Sequence, residues 1–389
     1  MSSQEATLAV MDRVADMIRD RLPEPQAQRV DAFVRQYYAR VSPEDLAHLD
    51  AVDVYGAALS HWSLAQKPPA GAARVRVYNP RFDEHGWETT HTVVETHVDD
   101  MPFLVDSVGM ELVRHGLDIH LVIHPVIRLR RDDQGDVVEV LEPGSERGSG
   151  REGADVSAES FMHVEVDRQG DPEILAEIER DIARVLADVR AAVEDWAKML
   201  QAVKRVTAQL DEHPPPVSPL DLEEAKALLA WLADDHFTFL GFREYELVTE
   251  NGEDALRALP GTGLGILRGA APRSASFAKV PPEVRQLARE KNLLNLTKAN
   301  SLATVHRPAR LDYVGVKRFD ETGEPVGEWR FLGLSTSTLY SNSVTQIPVL
   351  RRKVEAVMER AGFQEASHDA KDLLTILENY PRDELLQIG

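Results

Sequence analysis

The chain has 389 residues, 43% of them hydrophobic and 28% charged, which is long enough for two or three globular domains. Its formal net charge of −21 disfavours nucleic acid and anionic membrane surfaces as partners, because both are polyanions. The lack of cysteine excludes disulfides and thiolate catalysis and favours a cytoplasmic location. The sequence predicts neither a membrane span nor a signal peptide.

The first seventy residues have the apolar spacing of helices. Apolar side chains recur at helical intervals from Leu8 to Leu22. Ser42 followed by Pro43 is typical of a helix start, because serine caps free N–H groups and proline fits the first turn. A run rich in Pro and Gly at 67–71 then breaks the pattern. We therefore predict a helical segment over residues 1–72.

A strand, a helix and a second strand are predicted over residues 92–131. The β-branched run 92–98 forms the first strand, and a helix starts with Asp100 as its cap and Pro102 in its first turn. Gly116 ends this helix, and residues 117–129 form the second strand. Its alternation places Ile119, Leu121, Ile123 and Ile127 on one face, and His120, Val122, His124 and Val126 on the other.

A third strand is predicted at 161–166, with Met162, Val164 and Val166 inward and Phe161, His163 and Glu165 outward. A helix then runs from Pro172 almost to Pro214. That is too long for one small sheet to cover, so its second half should pack on the N-terminal helices or another subunit. The order of elements resembles an ACT domain, a βαββαβ module that usually senses metabolites, and we assign it to 73–212.

The proline-rich run 214–219 is the strongest linker signal in the sequence. After it we predict a helix at 220–233, strands at 237–248 and 264–267, and a helical stretch at 281–291. Strands at 302–307, 311–319 and 328–336 follow, the last two joined by a hairpin turn at 320–323. This order over 220–346 resembles a PAS-like sensor domain, and an irregular ACT-like domain is the alternative. Residues 347–389 are predicted to form closing helices that lead towards a further module. The sequence therefore predicts an α+β fold.

Three groups of residues are candidates for a site. The first is the turn before the predicted helix. The ACT resemblance implies a glycine after the proline of this turn when an amino acid binds there, and Phe103 occupies that position. A helix start that serves the core or an interface is favoured over an effector site. The turn consists of Asp99, Asp100, Met101, Pro102 and Phe103.

The second candidate is a set of histidines. By strand parity His120, His124 and His163 share the outer face of the sheet, and His97 can join them. Such a set can bind zinc, but no carboxylate is aligned with it, so no metal is predicted. A polar face that pairs with another subunit or domain is favoured.

The third candidate lies on the strands of the second domain. Cross-strand ion pairs are favoured there, and a pocket for an anionic effector is the alternative. No serine or threonine nearby has the His and Asp partners of a hydrolase triad. The set comprises His306, Arg307, Asp312, Lys317, Arg318, Glu328 and Arg330.

Five stretches in order resemble the N-terminal region of the large NAD-specific bacterial glutamate dehydrogenases, over roughly residues 75–389. They are MPFLVDS at 101–107, WLADDHFTFLG at 231–241, HRPARLDYVGVKRF at 306–319, RFLGL at 330–334 and PRDEL at 381–385.

The resemblance implies a parent enzyme that uses NAD to deaminate glutamate oxidatively to 2-oxoglutarate and ammonia. Its catalytic domain needs a Gly-rich nucleotide turn and a lysine base. Here the glycine cluster 261–265 has no glycine at 266, and Lys298 lies in no Gly-rich setting. We therefore expect no catalytic residue, cofactor site or activity in this chain.

The expected role is that of a non-catalytic regulatory and oligomerisation region. Its expected partners are the parent's own catalytic domain, other subunits of a homo-oligomer and a small-molecule effector. A free-standing amino-acid or metabolite sensor is the alternative.

Overall fold

The computed structural model describes residues 3–68, 71–144, 156–250, 252–269, 286–364 and 367–387. The chain divides into two compact units, residues 1–189 and 190–389. None of the described helices has the length and apolar character to cross a membrane. The four-part division predicted from the sequence stays a prediction.

The first unit begins with helices, as predicted. The Ser42 hydroxyl accepts a hydrogen bond of 3.1 Å from the Asp45 N–H, and Asp50 caps the next helix in the same way at Val52. The helices are α1 (Ser3–Arg21), α2 (Gln26–Tyr37), α3 (Pro43–Ala47) and α4 (Ala51–Ala65).

The first sheet is antiparallel throughout, in the order β1-β2-β6-β4-β5, with β3 also paired to β6. The predicted strand 117–129 is divided at Pro125, which has no N–H for the ladder, and both halves pair with β6. The strands are β1 (Arg74–Tyr78), β2 (Thr92–Asp99), β3 (Ile119–Ile123), β4 (Val126–Arg131), β5 (Val137–Val140) and β6 (Val156–Val166), with helices α5 (Phe82–His85) and α6 (Leu104–Arg114).

The long predicted helix is present as α7 (Pro172–Glu212). Its residues up to Val189 belong to the first unit and the rest to the second. From Met199 to Leu210 its buried side chains pack with α8 (Pro219–Trp231) and the second sheet. The expectation that this half covers the N-terminal helices is therefore wrong, and the expectation that it contacts another subunit stays a prediction.

The second unit contains a six-stranded antiparallel sheet in the order β10-β11-β12-β7-β8, with β9 on β7. A kinked turn, Leu232–His236, in which Asp234 and Asp235 have non-helical backbone angles, connects α8 to the sheet. The strands are β7 (Phe237–Glu250), β8 (Glu253–Ala258), β9 (Leu264–Gly265), β10 (Leu294–Leu302), β11 (Arg310–Phe319) and β12 (Pro325–Ser335). Helices α9 (Thr338–Ser341), α10 (Leu350–Ala361), α11 (His368–Asn379) and α12 (Arg382–Gln387) follow.

Two details of the second unit correct the sequence prediction. The strand expected at 302–307 is β10, which ends at Leu302, and the chain then bends through His306 with a φ of 80°. Of the expected helical stretch 281–291, residues 281–285 lie outside the described residues, and Gln286–Arg289 is a short 3-10 helix. The hairpin at 320–323 is confirmed, because Asp320 accepts backbone hydrogen bonds from Thr322 at 2.9 Å and Glu324 at 3.0 Å.

The α+β class is confirmed by two antiparallel sheets combined with helices. The choice between a PAS-like and an ACT-like assignment for the second sheet stays open.

Candidate functional site

The first sheet has a polar face that is buried under the N-terminal helices, and we call it the helix-covered face. Directly opposed residues of antiparallel strands share a face. The register pairs Glu95 with His163, His97 with Phe161, and Asp99 with Glu159. Glu95, His97, Glu159, Phe161 and His163 are each at most 1% exposed. The face predicted to point outward is therefore packed against helices of the same chain.

Aromatic rings join this face to α2 and α4. The Phe161 ring lies 5.2 Å from the Phe33 ring and 5.3 Å from the His61 ring. His61 Nε2 lies 2.9 Å from the carbonyl oxygen of Thr96 and therefore donates, so Nδ1 accepts from the Tyr37 hydroxyl at 2.9 Å. Burial lowers the pKa of His61 to about 4, which keeps it neutral at pH 7.

Glu159 is the centre of a buried ion cluster. Arg131 donates two hydrogen bonds to its carboxylate at 2.7 and 2.6 Å, and His97 Nε2 lies 2.5 Å from it. Burial alone would raise the pKa of Glu159, but the hydrogen bonds from Arg131 and His97 outweigh it and lower the pKa to about 2. The carboxylate is therefore held in its charged form.

His163 lies between two carboxylates on the same face. Its ring nitrogens are 3.9 Å from Glu95 and 3.4 Å from Glu165, and Arg76 Nε donates to Glu95 at 3.0 Å. Burial alone would lower the pKa of His163, but the two carboxylates outweigh burial and raise it to about 9. His163 is therefore a buried imidazolium at pH 7.

This cluster predicts a loss of stability in alkaline solution. Because the folded pKa of His163 is raised from 6.5 to about 9, its contribution is complete below pH 6.5 and is lost as the pH rises through 9. We expect the first unit to lose roughly 1–3 kcal/mol over that interval. Urea unfolding at both ends of the interval measures it. In His163→Gln the loss should disappear, and an equal loss in that variant would contradict the prediction.

The prediction that His120, His124 and His163 share one face is wrong. The register pairs Ile123, rather than a histidine, with His163, so His124 lies on the opposite face. There His124 Nε2 lies 2.8 Å from the Ser160 hydroxyl. His120 Nε2 lies 2.7 Å from the Asp167 carboxylate, and its ring stacks on His91 at 4.4 Å. These histidines therefore do not form one metal site.

The turn before α6 differs from its prediction. The helix begins at Leu104, and Asp100 makes no side-chain cap, because Phe103 is the N-cap residue. Phe103 has φ 73°, the left-handed conformation that glycine adopts without strain. The backbone N–H of Asp100 donates to the Ala158 carbonyl at 3.0 Å, which ties this part of the turn to β6. Pro102 is exposed, whereas Asp99, Met101 and Phe103 are half-buried.

A further acidic cluster was not found from the sequence. Ligand atoms of Glu111, His115 and Asp181 lie within 4.8 Å of one another among the described residues. Arg184 donates to Glu111 at 3.0 Å and to Asp181 at 3.1 Å. Because the guanidinium balances both carboxylates, the cluster is a salt-bridge network that ties α6 to α7.

The polar set of the second unit separates into two places. Asp312 receives hydrogen bonds from Lys298 at 2.5 Å and from the Ser335 N–H at 2.8 Å. Arg307 donates to the Ser335 carbonyl at 2.6 Å, beside the bend that contains His306. This part of the set serves structural pairing.

Lys317, Glu328 and Arg330 instead line one side of a cavity of about 500 Å³, which we call the sheet cavity. The three side chains lie on the same face of adjacent strands, because Lys317 is directly opposite Glu328. Arg318 is elsewhere, with its guanidinium 5.6 Å from the Trp329 ring. The structure therefore brings together only part of the predicted set.

The glycine cluster 261–265 packs against the chain itself. The Gly265 N–H donates to the Asp195 carboxylate at 3.0 Å, and the Ile266 N–H donates to the Leu240 carbonyl at 2.8 Å. A phosphate-binding loop needs such N–H groups directed at the ligand. These two are bonded to the chain's own oxygens.

Gly265→Ala is expected to destabilise the second unit by about 2 kcal/mol or more, because φ is 58° and a Cβ would lie 2.1 Å from the Leu240 carbonyl oxygen. Gly261→Ala is the control, since φ is 74° there and nothing lies within 4 Å of a Cβ. Gly261→Ala should lower the free energy of unfolding by only about 1 kcal/mol. Urea unfolding compares the two, and equal losses would contradict this role for Gly265.

Two family models match the chain. Residues 33–182 match the glutamate dehydrogenase ACT1 domain, and residues 347–389 match glutamate dehydrogenase helical motif 1. The similarity thus reaches into the N-terminal helices, further than the expected start near residue 75. The matched range begins within α2 and includes α3 and α4.

Relatives match along the chain. It is 39% identical to the NAD-specific glutamate dehydrogenase of Halomonas elongata over all of this chain and 24% of that protein. It is 37% identical to that of Pseudomonas aeruginosa over 95% of this chain and 22% of that protein. The enzyme of Mycobacterium tuberculosis is 27% identical over 85% of this chain and 19% of its own length. The chain therefore belongs to the NAD-specific glutamate dehydrogenase family, whose ACT1 domain and helical motif 1 it carries.

Proposed function

We propose that this chain is a non-catalytic regulatory and assembly region of an NAD-dependent glutamate dehydrogenase. The parent reaction would be the oxidative deamination of glutamate to 2-oxoglutarate and ammonia, with NAD bound outside this chain. The observation that carries the proposal is the extent of the match, since the chain spans about a quarter of the length of the relatives it matches. The internal bonding of the glycine cluster supports it.

The regulatory part of the proposal rests on two sensor-like modules, the ACT-like domain over 73–212 and a PAS-like or ACT-like domain over 220–346. The turn from Asp99 to Phe103 and the sheet cavity are the places where an effector would bind. Allosteric coupling typically amounts to about 1–3 kcal/mol, so an effector of modest affinity is sufficient. The cytoplasm is the proposed location.

The assembly part predicts that the chain binds other copies of itself. The exposed Trp196 on α7 and the exposed Ile376 and Tyr380 on and after α11 are apolar side chains available for such contacts. Light scattering over a range of concentrations tests this. We expect the average mass to rise with concentration, and a monomer at the highest concentrations would contradict the assembly role.

The alternative is a free-standing metabolite sensor, which the sheet cavity alone would also suit. Thermal shift against amino acids and nucleotides separates the two. A ligand that binds this chain tightly on its own, without any effect on glutamate dehydrogenase activity, would favour the alternative.

A further inference from the structure

At residues 347–350 the chain passes between two apolar cores of the second unit, and we call this segment the junction. Val349 packs against the core that the second sheet shares with α8. Its neighbours Ile347 and Leu350 are fully buried in a smaller core, to which α10, α11 and α12 contribute. These three helices lie in the part of the chain that matches helical motif 1. The junction therefore connects helical motif 1 to the sheet.

The backbone of the junction is strained, because neighbouring side chains enter different cores. Val349 has φ 70° and ψ −46°, close to the classic γ-turn, which is a rare and strained conformation. Positive φ in a β-branched residue is a genuine outlier. Strain of this kind persists only where the surrounding structure fixes it, and it is typical of switch regions. The junction is therefore held by its contacts against the preference of its own backbone.

Glu224 of α8 provides the polar contacts that hold the junction. Its carboxylate accepts a hydrogen bond of 2.7 Å from the Val349 N–H, and Arg351 Nε donates to the same carboxylate at 2.9 and 3.1 Å. The Glu224 side chain is 13% exposed, so these bonds are partly shielded from water. Backbone strain and hydrogen bonds to a charged group are of similar size, so a closed and an open junction differ by a small free energy.

The helices that follow the junction are attached to one another. The Lys353 ammonium of α10 donates to the backbone carbonyls of Leu385 and Leu386 in α12, at 3.3 and 2.9 Å. Val354 of α10 and Leu374 of α11 pack in the same small core. The three helices can therefore move as one body.

Two further contacts connect this body to the rest of the second unit. Asp383 of α12 lies 3.4 Å from Lys298 of β10, but each side chain is 28% exposed, and such pairs contribute little. Trp231 of α8 is half-buried and packs against both cores. Neither contact bonds the backbone of Val349, so Glu224 is left to fix the angles of the junction.

We propose that the junction is a hinge with a closed and an open state, and that Glu224 holds it closed. In the open state the Val349 N–H and Arg351 leave the carboxylate, Val349 relaxes to negative φ, and α10–α12 turn away from α8 together. Hinges of this kind are a few residues at the end of an element that absorb a large change in φ and ψ. The regulatory use of the hinge rests on the proposed function, in which helical motif 1 would pass the movement on to the rest of the parent enzyme.

Hydrogen exchange of the whole chain tests the role of Glu224. In Glu224→Ala the amides of α10, α11 and α12 should exchange at least about fivefold faster, because hydrogen bonds to a charged group are lost. Those of β7, β11 and β12 should stay within about twofold of the native rates, since only the hinge opens. The control is Glu223→Ala, which removes an exposed carboxylate from the same helix and should leave all these rates unchanged.

Glycine and alanine at position 349 test the strain. Both remove the valine side chain, but only glycine adopts positive φ without strain. Exchange of α10–α12 should therefore be about threefold or more slower in Val349→Gly than in Val349→Ala. Val357, 40% exposed within α10, is the matched control. There the order should be reversed, because glycine inside a helix is less stable than alanine.

Unchanged exchange of α10–α12 in Glu224→Ala would overturn the proposal. So would equal acceleration of the sheet strands, or exchange in Val349→Gly that is no slower than in Val349→Ala. If Glu224→Ala does not fold, Glu224→Gln keeps an acceptor for the Val349 N–H but loses the charge facing Arg351, and it should accelerate exchange of α10–α12 alone; unchanged exchange would again contradict the hinge. Failure of the proposed function is seen separately, as glutamate-dependent NAD reduction by this chain or as a monomer in light scattering, neither of which hydrogen exchange reports.

Discussion

Replacing Glu159 by alanine is expected to destabilise the first unit by about 3–5 kcal/mol, because it leaves a buried positive charge without its partner. Arg131 is 6% exposed and donates two hydrogen bonds to this carboxylate, and His97 is fully buried beside it. Hydrogen exchange of the β2 and β6 amides, both in the first unit, followed at increasing urea concentration, measures the loss.

Glu139→Ala is the matched control for this experiment. Glu139 pairs with Arg130 at 2.9 Å on the neighbouring part of the same sheet, but its side chain is 31% exposed. A partly solvated pair of this kind contributes about 1 kcal/mol or less. If Glu139→Ala were as damaging as Glu159→Ala, burial would not be the source of the effect and the description of the cluster would be wrong.

Phe161→Ala is the second substitution with a large expected effect. Its ring is fully buried and lies against Phe33 of α2, His61 of α4 and His97 of β2. Loss of the ring should cost about 3–5 kcal/mol and leave a cavity between the sheet and the helices. Hydrogen exchange should show α2 and α4 opening more readily than β2.

Phe82→Ala controls for the removal of a phenyl group, because Phe82 is 59% exposed. Phe82→Ala should change the free energy of unfolding by no more than about 0.5 kcal/mol. Unchanged protection of α2 and α4 in Phe161→Ala would show that these helices do not depend on the helix-covered face.

The sequence was sufficient where a local pattern decides the structure. Ser42 before Pro43 marked a helix start, and the turn at Asp320 marked the hairpin of β11 and β12. The turn does not by itself fix the pairing further along, because a register shift between Arg318 and Phe319 places Lys317 opposite Glu328. The sequence stretches resembling glutamate dehydrogenase identified the family.

The sequence was insufficient where the structure depends on pairing between strands that are distant along the chain. The alternation of side chains along a strand divides them between two faces, but it does not show which face of one strand lies beside which face of another. His124 was therefore wrongly assigned to the same face as His163. The polar residues under α2 and α4 look like surface residues in sequence, because buried charges are rare unless they are paired. Strand β10 is also rich in polar residues, and the prediction therefore placed a strand at 302–307 instead of at Leu294–Leu302.

Phe103 shows a third kind of failure. The left-handed backbone at this position is uncommon for a bulky residue, so a regular capped helix start was the natural expectation. The structure instead keeps the glycine-type backbone with a phenylalanine in place. Sequence patterns do not indicate such exceptions.

The central claim, that this chain holds no dehydrogenase active site, is tested most directly by its activity. The purified chain is incubated with glutamate and NAD, and the formation of NADH is followed by its absorbance. The full-length Halomonas elongata enzyme serves as the positive control for the assay. We expect no glutamate-dependent NADH formation by this chain. Turnover that depends on both glutamate and NAD would contradict the account.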